Sequence, residues 1–535
     1  MTATDNVADD MSETPKTSRA TRREWIGLAV IALACVLYVM DLTVLHLAIP
    51  AISEDLQPTS AQLLWIIDIY GFMVAGSLIT MGTLGDRIGR RRLLMIGAAA
   101  FGVTSVLAAF SSSPEMLIAT RALLGIAGAT IAPSTLSLIR NMFLDPQQRQ
   151  TAIAVWITSF SVGAAIGPLL GGLVLEFFWW GAAFLLAVPV MALLLVLGPR
   201  FLPEYRDPNP GRLDLVSAAM SLFAVLAMIF GLKQFAQSGV GLVPVVSTLA
   251  GLAIGIAFVR RQRRLEDPFI DLRLFHAPGF SASLATYGLG VVIVFGGFLF
   301  LPQYLQLVLG LTPLEAGIWT LPWALSFVAG SQLTPRLARR IPPATLMASG
   351  MLLAALGFAA FLTLDQTASL ATFVIGSIVF SLGLAPVFTL AIDLIVGVAP
   401  AERAGAASAI AETSAEFGGA MGIAIFGSIG VAIYRAGVAE GLPAGIPDGA
   451  AAVARDTLGG AVEIAGQLPD RLGAPLLDAA RDAFIQGIHV SAAISVVGAI
   501  GLAVFCAVLL RRKGVGVDPM VEESDENESE PSEAA

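Results

Sequence analysis

Charge is the scarcest commodity in this chain. Only 13% of its 535 residues are Asp, Glu, Lys or Arg, against about 25% in an ordinary soluble domain. The deficit lies in long uninterrupted apolar runs, which excludes a soluble globule and predicts a polytopic membrane protein. Cysteine is almost missing too. Cys35 and Cys506 both fall inside apolar runs, with no CxxC spacing and only three histidines in the chain. That pattern supports neither a disulfide framework nor a metal centre. No Ser/His/Asp or Cys/His constellation stands out, and the longest polar interruption is the stretch 436–484. The net charge of −9 comes mainly from the acidic tail "VEESDENESEPSEAA" at 521–535. It points to no nucleic-acid partner, and the tail and residues 1–24 have the composition of disordered segments.

What remains is hydrophobic. Spanning-length runs occur near 26–49, 63–84, 93–111, 117–140, 151–175, 181–198, 214–233, 240–260, 280–302, 316–335, 344–364, 369–394, 404–432 and 488–510, predicting fourteen transmembrane helices in an all-α fold. The first run follows a polar tail and lacks a small-x-small cleavage site, so it reads as a span and not a signal peptide. Lys and Arg fix the expected orientation. With both termini cytoplasmic, 25 of the 31 basic residues fall in inner segments, the densest being Arg87, Arg90, Arg91 and Arg92, and Arg260, Arg261, Arg263 and Arg264. On this scheme Lys233 is the single basic residue of the short outer loops.

The inner loop "LGDRIGRR" (84–91) follows span two, and "LTPRLARR" (333–340) follows span ten. Both match L-x-x-R-[IL]-[GA]-R-R. Spans five and thirteen correspond as well, each starting after an inner arginine (Arg149, Arg403) and turning glycine-rich. The chain therefore divides into an N-terminal six-helix half at 25–200, a linker with two inserted helices at 201–264, and a C-terminal six-helix half at 265–512 that includes the outer loop 436–484, with the tail 513–535 beyond. Internal repeats of this kind are a transporter architecture, with the substrate site near the midplane between them.

Four stretches carry chemistry. In "GTLGDRIGRRR" (82–92), Gly82, Gly85 and Gly89 permit a tight turn, Asp86 is suited to capping a helix N-terminus, and Arg87 and Arg90 to anchoring at lipid phosphates or helix ends. In "RALLGIAGA" (121–129), Arg121 lies within span four and needs a partner. Asp41 in "MDLTVLHLAIP" (40–50) lies at similar depth. In "SVGAAIGPLLGG" (161–172), Gly163, Gly167 and Gly171 repeat every four residues, flanked by Pro168 and Gly172. Small residues so spaced let two helices touch along their backbones, and the proline bends the helix. Lastly, "SAIAETSAEFGGAMGIAIFGSIG" (408–430) sets Glu412 and Glu416 one turn apart on one helix face. A charged carboxylate at that depth costs roughly 2.5–3.5 kcal/mol, so the face must look at protein or a water-filled cavity.

The inner-loop pattern resembles that of the major facilitator superfamily. The G-x-x-x-G-P-x-x-G-G run resembles the motif of its antiporters, which sugar and peptide symporters generally lack. From about residue 25 to 512 the chain looks like a fourteen-helix drug:proton antiporter. "LWIIDIYGFMVAG" (64–76), with Asp68, narrows it toward the QacA-type exporters of quaternary ammonium and other lipophilic cations. The resemblance implies alternating access driven by the proton gradient without a cofactor, in a plasma-membrane monomer that contacts lipid and carries small hydrophobic or cationic substrates. It makes Asp41, Asp68, Glu412, Glu416 and Arg121 the groups for protons and cations. Tyr38 and Trp323 are candidate aromatic walls, Trp65 an interfacial anchor, and His46 a packed histidine. This chain departs from some polyspecific relatives in having Ala411 and Phe327 where they carry acids, which favours monovalent cations. A dedicated exporter of one metabolite or antibiotic, or more remotely a membrane sensor or enzyme, is the alternative. The loop 436–484 contains a helical pattern at 468–487 and is expected on the outer membrane surface or over the cavity mouth.

Overall fold

The computed structural model describes residues 19–510 except 207–213, 240, 266, 267, 269–271, 277, 368, 369 and 399–403. Both tails beyond these limits, and Arg403, lie outside the described residues. The first half comprises α1 (Arg22–Leu56), α2 (Ser60–Ile88), α3 (Arg90–Ala109), α4 (Pro114–Gly128), α5 (Ile131–Met142), α6 (Pro146–Phe177), the short α7 (Ala182–Leu185) and α8 (Ala187–Phe201). The inserted pair is α9 (Leu215–Ser238) and α10 (Leu242–Gln262). The second half comprises α11 (Pro278–Phe298), the short α12 (Leu301–Gln303), α13 (Pro313–Ala338), α14 (Pro343–Ala360), α15 (Leu370–Val398), α16 (Ala404–Gly441), α17 (Asp448–Asp456), α18 (Leu458–Gln467) and α19 (Asp470–Phe505). Among the described residues these form no strand.

Among the described residues, thirteen helical stretches are long and apolar enough to cross a membrane. The predicted span missing from these is the tenth, α13, whose 26 residues exceed the roughly 20 needed. Its Pro, Trp, Thr, Ser and Gln dilute its hydropathy, which suits a helix wedged between α6 and α15. The fourth predicted span is one stretch in two helices, α4 and α5, joined at Ala129 and Thr130.

Local sequence sets the helix starts. Thr21 with Glu24, Thr59 with Gln62 and Thr312 with Glu315 each form a capping box, in which side chain and backbone satisfy one another's free groups. Two of these boxes open α2 and α13, the equivalent members of the repeat, so the symmetry read from their basic ends extends to their opposite ends.

Each half has its own core. Leu94, Phe101, Leu117, Leu124 and Leu138 lie in the first, and Met347, Phe358, Phe380, Leu384 and Val387 in the second. Leu47, Ile49, Leu63, Leu64 and Ile67 break this division. They belong to the first half by sequence and pack into the second half's core. All lie toward the ends of α1 and α2 remote from the arginine-rich loops, so the halves are joined at that end. The bonds there agree. Gln306 Nε2 donates to Leu47 O at 3.1 Å, and Ser60 Oγ donates to Asp456 O at 2.5 Å.

The segment after α16 makes much of that seal. Residues of 436–484 pack against the ends of α1 and α2 there. Gln57 donates to both carboxylate oxygens of Glu463 at 3.1 and 3.0 Å, Gly459 packs on Ser53, and Tyr434 and Arg435 hold Ala454 and Asp456 from the other side. The helical pattern at 468–487 is the first part of α19, continuous with the last span.

Candidate functional site

At the basic end, Gly89 takes φ +110° between α2 and α3, a conformation that glycine tolerates best. Asp86 does not cap α3. It pairs with Arg90 at 2.5 Å, because their spacing of four stacks them across the bend, and Arg90 reaches Pro133 O at 3.3 Å. The α3 N-terminus is instead met by Glu204 from beyond α8, which accepts from Arg91 N at 3.1 Å. Gly82 and Gly85 face Pro133 and Arg90, and Arg87 lies in the last turn of α2.

Gly163, Gly167 and Gly171 bring α6 onto α1, where they meet Val36, Met40 with Thr43, and Val44. The partner positions repeat at the same interval of four, so two helices with equal rise stay in register along the stripe. Pro168 and Gly172 face the other way. A Cβ at Gly172 would lie 2.5 Å from Pro313 O, and one at Gly317 would lie 2.4 Å from Pro168 O. The antiporter-like motif is thus clamped between α1 and α13, one helix from each half.

Beside that stripe, Arg121 Nη1 and Asp41 Oδ2 meet at 2.6 Å, with the arginine fully buried. Arg121 Nε also donates to Ile66 O at 3.3 Å, and the guanidinium lies 4.6 Å from the Tyr70 ring centroid. Removing one partner of such a pair leaves an uncompensated buried charge, which costs about 3–5 kcal/mol. Asp41→Asn keeps an acceptor but not the charge. We expect it to insert with a lowered melting temperature and to lose gradient-driven transport. Normal pH-dependent transport by that variant in vesicles would return Asp41 to a purely structural role.

Tyr38 does something sequence spacing did not reveal. Its hydroxyl donates to Glu416 Oε1 at 2.6 Å, linking positions 378 residues apart and binding α1 to α16 across the two halves. Tyr38 also neighbours Tyr70, with ring centroids 6.2 Å apart. A contiguous series of side chains thus runs from Asp41 through Arg121, Tyr70 and Tyr38 to Glu416. Glu412 and Glu416 are both half-buried. The glycines around them serve the far side of the helix: a Cβ at Gly418 would approach Gly288 O at 2.9 Å, and one at Gly422 would approach Val292 O at 2.4 Å. Close backbone packing on α11 therefore turns the carboxylates toward α1 and the space between the halves.

Trp323 stacks on Phe298 at 5.0 Å, and Phe327 meets Phe388 edge-on at 5.8 Å, giving the second half an aromatic wall. Ala411 is buried. His46 Nδ1 lies 2.9 Å from Leu42 O within its own helix.

The placement of Lys233 requires a correction. Lys233 is not in an outer loop. It lies within α9, 1% exposed, with Nζ at 2.9 and 2.8 Å from the two oxygens of Asp68. Trp65 lies beneath it, 3.7 Å from ring centroid to Nζ, and is no mere interfacial anchor. A count that assigned every lysine at the end of an apolar run to a loop could not find a partner 165 positions earlier.

The chain matches the Major Facilitator Superfamily over residues 31–423. It is 43% identical over 500 residues to the multidrug efflux pump LfrA of Mycolicibacterium smegmatis, covering 93% of this chain and 99% of LfrA. It is 37% identical to the methyl viologen resistance protein SmvA of Salmonella typhimurium, covering 86% and 93%. It is 31% identical to a tetracenomycin C resistance and export protein of Streptomyces glaucescens, covering 96% of each. In fold it is similar to a bacterial homologue of the human lysosomal transporter Spinster in an inward-facing, unoccupied conformation, with a TM-score of 0.62 at 18% identity, covering 91% of this chain and 98% of that one. Two six-helix halves, a basic Gly-Asp-Arg turn at one end and carboxylates at the seam, together with these matches, make the chain a multi-pass membrane transporter, not an enzyme, and a member of the Major Facilitator Superfamily.

Proposed function

We propose that this protein exports lipophilic, mostly cationic compounds in exchange for protons, working as a monomer in the bacterial inner membrane with its basic loops and both termini in the cytoplasm. The observation that carries this reading is Glu416, held by Tyr38 from the opposite half, with Glu412 one turn away on the same face. A bond across the seam must break when the halves part at that end. A cation entering from the cytoplasm favours the ionised carboxylates and releases a proton. Protons arriving from outside then displace the cation, so one set of acids serves both cargoes in turn.

The names of LfrA and SmvA support this class of cargo. The test is transport in inverted vesicles under an imposed proton gradient, with a panel of ammonium dyes and anionic controls. Uptake of several unrelated cations and exclusion of the anions is the expected result. Transport of one neutral or anionic compound alone would favour the second reading, a dedicated metabolite exporter, which the similarity to an antibiotic export protein also suits.

Orientation has its own test. Tags at residue 1, within 262–278 and at 535 are expected to be protected in intact cells, and one near 450 exposed to added protease. Cleavage within 262–278 in sealed cells would reverse the topology.

A further inference from the structure

The inserted pair α9–α10 reaches the rest of the molecule through α9, which packs against α2 of the first half and α16 of the second. Apolar residues make most of that contact, with Phe72, Ile229, Ala420 and Ala424 at its centre. In their midst lies one buried ion pair. Docking α9 does not require it, since well-packed apolar side chains of similar volume hold buried surfaces together at least as well. The geometry around Nζ is more specific than docking demands. Both Asp68 oxygens lie within 2.9 Å, and the Trp65 ring faces the same ammonium at 3.7 Å. A carboxylate plus an aromatic face, closed to water, is how proteins recognise an organic ammonium.

We propose that Asp68 and Trp65 form a primary-ammonium site in the wall of the first half, and that Lys233 is its tethered ligand, delivered by the inserted helix pair. The site is separate from Glu412 and Glu416 and does not rest on the export reading. Because the ligand's own chain occupies it, the site stays closed to other cations while α9 is docked. Asp68 is thereby withdrawn from the set of acids available to cargo, and without the cation that α9 brings its carboxylate is left buried and unpaired. Truncating the lysine opens the site to a free ammonium of matching length.

The test uses the full-length purified protein. Lys233→Ala removes Cγ, Cδ, Cε and Nζ, the outline of n-propylammonium. The variant is expected to melt below wild type and to be restored by n-propylammonium chloride in a saturable manner. Neither n-propanol, its neutral counterpart, nor sodium chloride at equal ionic strength should do this. Adding Asp68→Asn should abolish the response, and adding Trp65→Leu should weaken apparent affinity roughly two- to thirtyfold. No ammonium-specific stabilisation, or an equal response without Asp68, would overturn the proposal. If Lys233→Ala fails to accumulate, Lys233→Met fills the same space without the charge. It should then be less stable than Lys233→Met combined with Asp68→Asn, because the single variant leaves a carboxylate in the site with no cation. Wild-type stability of Lys233→Met alone would equally refute a charged site.

Discussion

Glu416→Gln is expected to abolish transport of cationic dyes while leaving the protein in the membrane. The substitution keeps an oxygen to accept from Tyr38, which now bonds Glu416 at 2.6 Å, so the seam between α1 and α16 need not come apart. What disappears is the charge. A hydrogen bond to a charged group is worth roughly 1.5–3 kcal/mol, so apparent affinity for a cation should fall by about ten- to a hundredfold, following about 1.4 kcal/mol per decade. Turnover should fall further, because an amide does not ionise and so cannot release and rebind a proton in each cycle. Glu412→Gln should insert equally well, and the double variant should release fewer protons when substrate is added to the purified protein. Tyr38→Phe is the control, since it loses the cross-seam bond and keeps both acids. Unchanged cation transport and proton release in the double variant would sink the shared-carboxylate exchange.

The second large effect belongs to the stripe on α6. A Cβ at Gly163 would lie 2.4 Å from Val36 O, a backbone atom that has no rotamer to turn away. A leucine there must push α6 away from α1, the helix that also carries Asp41 and Tyr38. Gly163→Leu is therefore expected to reach the membrane with a lowered melting temperature and background export. Gly167 differs in kind. Its nearest neighbour is the Thr43 hydroxyl at 2.0 Å, and a threonine side chain can rotate. Gly167→Ala should thus be milder than Gly163→Ala, whereas leucine at either position should stop transport. Wild-type turnover in both leucine variants would leave the close contact without mechanical importance.

Architecture was legible in the sequence because lipid imposes a simple rule: runs long enough to span, with arginines left at one end of each pair. The equivalence of α2 and α13 followed from eight residues at their basic ends. Intramembrane pairing was legible only where both partners drew attention as isolated charges, as Asp41 and Arg121 did. Lys233 failed that test by lying at the edge of its run, where a loop and a snorkelling or buried lysine have the same local pattern. Tyr38 was found only as a candidate aromatic wall, yet its principal bond goes to the other half, and no spacing within α1 records that. The role of Asp86 went astray for a geometric reason. A residue four positions before an arginine on a bent helix end meets that arginine before it meets a free amide. The break between α4 and α5 was hidden because its flanks, Ala129 and Thr130, are neither turn formers nor charged.

The distance between Tyr38 and Glu416 along the chain also bears on how the protein is made. Bacterial or not, a ribosome adds about 5–20 residues each second, so the 378 positions between them take roughly 20–75 s. For that interval the first half is in the bilayer with a phenol whose eventual partner does not yet exist, and with Leu47, Leu63 and Leu64 lacking the core they finally join. The newborn half must therefore be tolerable to the membrane as an unfinished object. Its own core, which ends with Leu202, the Asp41–Arg121 pair within it and the stripe of α6 on α1 are all complete once residue 202 has been added. Synthesis order thus separates what the first half needs in order to wait from what the pair of halves needs in order to work.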